Sequence, residues 1–424
     1  MEGQSRTRLF LRALRSRNYR LFVAGQGISL IGTWMQQVAM SWLVYRMTGS
    51  AMLLGIVGFT SQIPSFLLAP VAGVLADRWE KRHLLLATQA LALIQAALLA
   101  IIVLTGVVQI WHIVLLSLFL GIVNAFDIPI RQSFVVQMVD SREDLSNAIA
   151  LNSSMVHGAR LIGPTIAGLL VASVGEGVCF AINSASYLAV IAALAAMRVA
   201  PRPQHLQRQH VLHELHEGVL YAFGSKPIRN IIMLLALISL MGMPYSVLIP
   251  VFAREVLHGS SHTYGFLMTA TGSGALVGAF YLASRRSVIG LGMVIVRAAI
   301  FFGTGIAVFA ISNIFTLSML SLVVAGFGAM TLVASCNTIL QTIVDEDKRG
   351  RVMSFFTMAF IGMAPFGSLI AGALAGRIGA KETVLIGGMS CLAGGIIFFR
   401  QLPLLRKIIR PIYIDRGIIQ EKED

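Results

Sequence analysis

Twelve apolar runs, each long enough to cross a bilayer, leave this chain few ways to fold. A spanning helix needs roughly 20 predominantly apolar residues. Such runs lie near 21–46, 52–75, 84–107, 110–131, 146–174, 177–197, 230–254, 263–284, 288–311, 313–341, 352–376 and 382–402. In hydrocarbon every backbone N–H and C=O must be satisfied inside the protein, so such runs become helices. Of the 424 residues, 56% are hydrophobic and only 12% charged, about half the charged share of a soluble domain. The expected class is an all-α membrane protein with twelve transmembrane helices.

Charge placement sets the expected orientation. The net charge of +14 would suggest a nucleic-acid partner in a soluble chain. Here basic loops on one membrane face explain it, and no nucleic acid is implied. With the N-terminus inside, Arg46, Arg254, Arg377 and Lys381 face out, and Arg160 and Arg297 lie within spans. The other 27 of the 33 Lys and Arg fall on the inner side. That predicts a multi-pass protein of the inner (cytoplasmic) membrane with both termini cytoplasmic. The first run is too long, and too polar in places, for a cleavable signal peptide. The expected plan is an interfacial N-terminal segment, 1–20, then a six-helix bundle, 21–197. A linker with an amphipathic helix (198–229), a second bundle (230–402) and a tail (403–424) follow.

The two halves repeat at an offset of 204–210 residues. Leu75-Ala76-Asp77-Arg78 is echoed by Leu282-Ala283-Ser284-Arg285, and Gln137 and Asp140 by Gln341 and Asp345. Gly163 and Gly168 in the fifth run match Gly367 and Gly372 in the eleventh. Both halves therefore cross in the same direction, as parallel repeats of a transporter do.

Between runs 2 and 3, residues 73–83 carry Gly73, Asp77, Arg78, Lys81 and Arg82. This resembles the G-x-x-x-D-R-x-G-R/K-R/K loop of the major facilitator superfamily, with Glu80 where the second glycine is usual. The segments 29–37 and 345–352 resemble the branch containing the enterobactin exporter and macrolide-efflux proteins. The resemblance covers the whole twelve-helix length. It implies two parallel-repeat six-helix bundles, and a monomer that moves a small-molecule substrate by alternating access with a coupling proton. It also implies gating roles. Asp77 would meet the N-terminus of helix 11, where free N–H groups attract a carboxylate, and Lys81 would pair with Asp127 on helix 4.

Run 5 carries Gly158, Gly163, Pro164 and Gly168. This resembles the family's fifth-helix G-x-x-x-G-P-x-x-G-G signature, found mainly in exporters, with Ala167 replacing a glycine and the first glycine one place early. Small residues there also suit ordinary close helix packing. The alternatives to drug or siderophore-like export are lipid or lysolipid transport and a non-transporting sensor or scaffold. The sensor reading predicts a sizeable soluble domain, whereas the longest expected tail, 403–424, is short.

Polar stripes mark the candidate substrate path. Run 1 has Gln26, Ser29, Thr33 and Gln37; run 4 has Ser117, Asn124 and Asp127; run 5 has His157 and Arg160; run 10 has Thr331, Ser335 and Gln341. Polar groups avoid lipid, so these faces point to a cavity or to other helices. Arg160 and Arg297 cost about 2.5–3.5 kcal/mol each even on the mild insertion scale and need partners. No mid-membrane acid is available to neutralise them, so Arg160 could meet an anionic substrate. His157 could titrate near neutral pH.

Other chemistry finds little support. Gly272, Gly274 and Gly278 mimic part of a nucleotide loop but follow no strand, so helix packing is the better reading. Cys179, Cys336 and Cys391 lie inside apolar runs without metal or disulfide spacing. His205, His210, His213 and His216 suit a solvated helix face better than a metal site. No nucleophile and base converge, so no enzyme and no cofactor is expected.

Overall fold

The computed structural model describes residues 12–139, 141–198, 221–285, 287–346 and 348–419, without the side chains of 69–78 and Arg142. The linker histidines and most of the linker's expected amphipathic helix fall outside these residues. Each apolar run folds as a helix: α1 Arg17–Thr48, α2 Ala51–Arg78, α3 Lys81–Leu104, α4 Ile110–Met138, α5 Leu145–Val174, α6 Glu176–Ala196, α7 Lys226–Val256, α8 Ser261–Ala283, α9 Leu291–Ile311, α10 Phe315–Ile343, α11 Arg349–Ile378 and α12 Ala380–Asp415. Among the described residues, eleven are both long and apolar enough to cross a membrane. α1 has the length, at 32 residues; Gln26, Thr33, Gln36 and Gln37 lower its hydropathy. No strand occurs among the described residues.

The helices form two compact units, residues 1–206 with 253–269, and residues 207–252 with 270–424. In the first, α1 packs on α5 and α6, α2 on α4, and α3 on α4 and α6. In the second, α9 packs on α10 and α12, and α7 lies along α12. The repeat seen in sequence reappears as repeated helix crossings. A Cβ on Gly121 of α4 would lie 2.7 Å from the Ser61 carbonyl of α2; one on Gly326 of α10 would lie 2.0 Å from the Thr271 carbonyl of α8. Likewise Gly163 of α5 sits against the Ile31 carbonyl of α1, and Gly367 of α11 against the Leu240 carbonyl of α7. Glycine at each position lets two backbones approach closely.

Two tight junctions also repeat. Gly175, at φ 85°, joins α5 to α6, and Gly379, at φ 102°, joins α11 to α12. Both adopt left-handed backbone, where a Cβ is strained. α7 and α11 contain wider π turns at Ile238–Gly242, Phe252–Val256 and Met358–Gly362.

Two terminal segments pack on the helices. Arg12–Arg15 forms a 3-10 turn. Arg12 pairs with Asp144 and, at 3.0 Å, with Glu143, and these carboxylates raise its pKa, Asp144 contributing most. Ala13 and Tyr19 are fully buried, and the Tyr19 hydroxyl donates to the Ala148 carbonyl at 2.7 Å. At the other end, α12 continues past residue 402 to Asp415. Leu405 and Tyr413 are buried there, and Arg416 donates to the Val344 carbonyl at 2.8 Å, beyond the end of α10.

Candidate functional site

The loop between α2 and α3 consists of Trp79 and Glu80. Gly73, Asp77 and Arg78 belong to the last turns of α2, and their side chains lie outside the described residues. Glu80 occupies the N-cap of α3 and places a carboxylate oxygen 2.9 Å from His83 Nδ1. Arg82 reaches the end of α6, donating to the Leu194 and Ala195 carbonyls at 2.8 Å each. A cation at a helix C-terminus satisfies otherwise unpaired carbonyls and the dipole. One base of the motif thus caps a helix, a role its sequence position did not signal.

Asp127 is 5% exposed. One oxygen accepts hydrogen bonds from Thr88 at 2.9 Å and Gln89 at 2.7 Å; the other accepts from Arg131 at 3.2 Å. The pairing with Lys81 implied by the family loop is absent among the described residues. Arg131, one turn along the same helix, takes that place. A buried carboxylate that accepts from a guanidinium and two neutral donors ties α3 to α4.

The stripe on α1 divides. At 3.6 residues per turn, Gln26, Thr33 and Gln37 share one face. Gln26 is buried with its Oε1 unpartnered, Thr33 donates to the Ser29 carbonyl, and Gln37 is exposed. Gln36, roughly a quarter-turn round, anchors a buried network that sequence spacing did not reveal. It donates to Gln95 on α3 at 3.0 Å and accepts from Asn183 on α6 at 2.7 Å. Gln95 and Asn183 are fully buried. Gln95 in turn donates to the Leu116 carbonyl of α4 at 3.3 Å. The bare Gly32 makes room, since a Cβ there would meet Asn183 Oδ1 at 2.4 Å.

The α5 motif also divides. Gly163 is pressed against α1, where a Cβ would lie 2.6 Å from that of Trp34. Gly168 faces Gly265 of α8, in the part of that helix belonging to the first unit, with a Cβ only 3.1 Å from the Gly265 Cα. Gly158 meets nothing within 4 Å. Close packing therefore rests on Gly163 and Gly168, while Pro164 offers its carbonyl as the surface against which Gly265 sits.

Arg160 lies midway along α5, partly buried, with its guanidinium 5.3 Å from the centre of the Trp34 ring. No carboxylate pairs with it among the described residues. His157, one turn earlier, and Asn124 on α4 are also partly buried. The guanidinium over the Trp34 ring is a cation–π contact.

The second unit gives less. Arg297 is exposed, about 9 Å along α9 from its start at 1.5 Å per residue, within reach of the helix end for so long a side chain. Ser335, expected on a cavity wall, is fully buried, and its hydroxyl, like that of Thr331, finds no partner. The polar face of α10 there packs inward, with Thr331 Oγ1 2.9 Å from where a Gly278 Cβ would lie. Gln341 is exposed and donates to Asn337 at 3.1 Å. The glycines of α8 prove to be packing positions: Gly274 and Gly278 meet the backbone of α10.

A further cluster gathers at the end of α1, unforeseen because its members come from three helices, α1, α6 and α7. Arg46 forms a bidentate pair with the buried Glu176 at 2.8 and 3.0 Å. Tyr45 donates to Glu255, and Arg254 to the Arg46 carbonyl at 3.4 Å. Three free cysteines are buried, and no group of three or more metal-ligating side chains occurs among the described residues.

Helix count and repeated crossings define a polytopic membrane protein of the major facilitator fold. The model of the transmembrane secretion effector family matches residues 10–408, and the chain belongs to that family. It is similar to the staphyloferrin A transporter of Staphylococcus aureus, 26% identical over 90% of this chain and 95% of the relative. It is also similar to the multidrug efflux pump Tap of Mycobacterium tuberculosis, 24% identical over 91% of both. Among solved structures, a D-xylose-proton symporter superposes with a TM-score of 0.70 at 15% identity, covering 90% of this chain and 96% of the other. The protein is a multi-pass membrane transporter of small molecules, not an enzyme.

Proposed function

We propose that the protein exports an amphipathic small molecule carrying an anionic group, a siderophore-like metabolite or an acidic drug, by alternating access. The observation that carries this reading is Arg160, halfway along a membrane-spanning helix, stacked on Trp34 and without a carboxylate partner among the described residues. A cation in that position is costly unless a substrate or water meets it. The resemblance of the α5 glycines to an exporter signature and the likeness to an efflux pump support the direction. Gln26, Thr33, Gln37 and Asn124 are the neutral polar groups proposed to share the path. Asp77, at the end of α2, remains the proposed gate residue, on the cytoplasmic side of the inner membrane.

Purified protein in liposomes, given a carboxylate-bearing fluorescent dye and its neutral methyl ester, tests the proposal. A charge-assisted hydrogen bond contributes about 1.5–3 kcal/mol, so Arg160→Gln should weaken transport of the acid roughly 10–150-fold. The ester should be little affected. Equal losses for both dyes would remove Arg160 from anion recognition.

His157, one turn from Arg160, is the side chain we propose for coupling to protons. Imposing a pH gradient on the same liposomes should drive uphill export by the wild type. His157→Gln should keep downhill exchange and lose that drive; uphill export that persists in His157→Gln excludes this role.

A further inference from the structure

We propose that the second unit holds an acidic phospholipid in a cavity between α8, α9 and α10, with Arg285 as the headgroup ligand. The cavity has a volume of about 340 Å³. Leu282, Val288, Leu291 and Met330 form its apolar walls. Three polar side chains enter it, those of Arg285, Ser287 and Thr338, and no acidic residue lines it.

Arg285 follows the last turn of α8, where the chain leaves the membrane-spanning helix. One terminal nitrogen donates to the Ile289 carbonyl at 2.9 Å, closing the turn into α9. Its Nε is buried and has no hydrogen-bond partner. No carboxylate pairs with the guanidinium among the described residues. A buried donor on a permanent cation, left unmatched by the protein, calls for an anionic acceptor from outside.

The walls decide what kind of anion. Water filling such a space needs two to four polar partners per molecule. Thr338 already donates its proton to the Ala334 carbonyl, and Ser287 already accepts from the Ile289 N–H. An acyl chain needs no such partners and suits the apolar walls. α8 and the turn into α9 expose Val277, Phe280 and Ile289, side chains that a bilayer would cover. A molecule with a phosphate at one end and hydrocarbon at the other matches both features. Basic pockets between transmembrane helices bind acidic headgroups in this way. The inference rests on this cavity and is independent of the transport reading.

The test uses the full-length protein in detergent, offered equal amounts of phosphatidylglycerol and phosphatidylcholine, with retained lipid counted by native mass spectrometry. The wild type should favour phosphatidylglycerol by about tenfold, the worth of one charge-assisted bond. Arg285→Gln should reduce retention to the phosphatidylcholine level. Ala334→Phe, which fills the cavity and leaves the charge, should do the same. Both variants are first checked for a monodisperse gel-filtration peak. Should Arg285→Gln fail to fold, Ala334→Phe and the lipid preference of the wild type still decide. Equal retention of the two lipids, or unchanged retention in a folded variant, overturns the proposal. So does competition by glycerol phosphate as effective as by the whole lipid, which would mark a soluble-anion site.

Discussion

Gly274→Ala should destabilise the second unit, while Gly158→Ala should leave the protein as stable as the wild type or slightly more so. The two substitutions add the same methyl group to a helix. At Gly274 that methyl would lie 1.9 Å from the Val323 carbonyl oxygen and 2.9 Å from the Phe327 nitrogen, backbone atoms of α10 that cannot swing aside. Ordinary C···O approaches are about 3.3–3.6 Å, so α8 and α10 would have to separate by more than an ångström. Overpacking a close-packed interior costs about 1–3 kcal/mol, and more where backbone must move. Alanine's better helix propensity returns only about 0.8–1 kcal/mol, so the clash wins. At Gly158 nothing lies within 4 Å, so only the propensity gain remains. Thermal unfolding of the purified variants in detergent checks this. A Gly274→Ala midpoint equal to that of Gly158→Ala would show that the α8–α10 crossing is looser than described.

The contrast shows where sequence reading reached its limit. Run length and polarity were enough to place all twelve helices, because lipid imposes one requirement on every span. The repeat predicted that Gly163 and Gly367 play equivalent parts, and each packs on the first helix of its own half. Which helix a polar residue faces was not legible. Helical period groups Gln26, Thr33 and Gln37 on one side of α1, but it says nothing of Gln95 or Asn183, which come from distant runs and make Gln36 the buried hub. Ser335 belonged to a plausible polar stripe, yet its side chain is fully buried. Arg82 looked like part of a charge pattern, yet it caps α6 through carbonyls more than a hundred positions away. Spacing encodes a face; the partner across it comes from tertiary packing.

Asp127→Ala is expected to destabilise the first unit more than removing both members of its ion pair does. Asp127 and Arg131 have side chains 7% and 17% exposed, so neither charge is well solvated. Truncating the carboxylate leaves Arg131 without its counter-ion and the Gln89 amide without that acceptor, while Thr88 keeps the Leu85 carbonyl at 3.0 Å. Breaking a buried pair from one side costs about 3–5 kcal/mol, whereas replacing both charges with apolar groups of similar volume is often neutral. Asp127→Ala combined with Arg131→Met should therefore recover much of the loss. Asp127→Asn should fall between the two. Its amide oxygen still accepts from Thr88 and Gln89, and only the charge facing Arg131 is gone, a change of about 1–3 kcal/mol. Because every partner lies on α3 or α4, the drop should show in unfolding temperature before any transport assay is run. If the double variant unfolds no later than Asp127→Ala alone, Arg131 reaches water by itself, and the carboxylate acts chiefly through its bonds to Thr88 and Gln89.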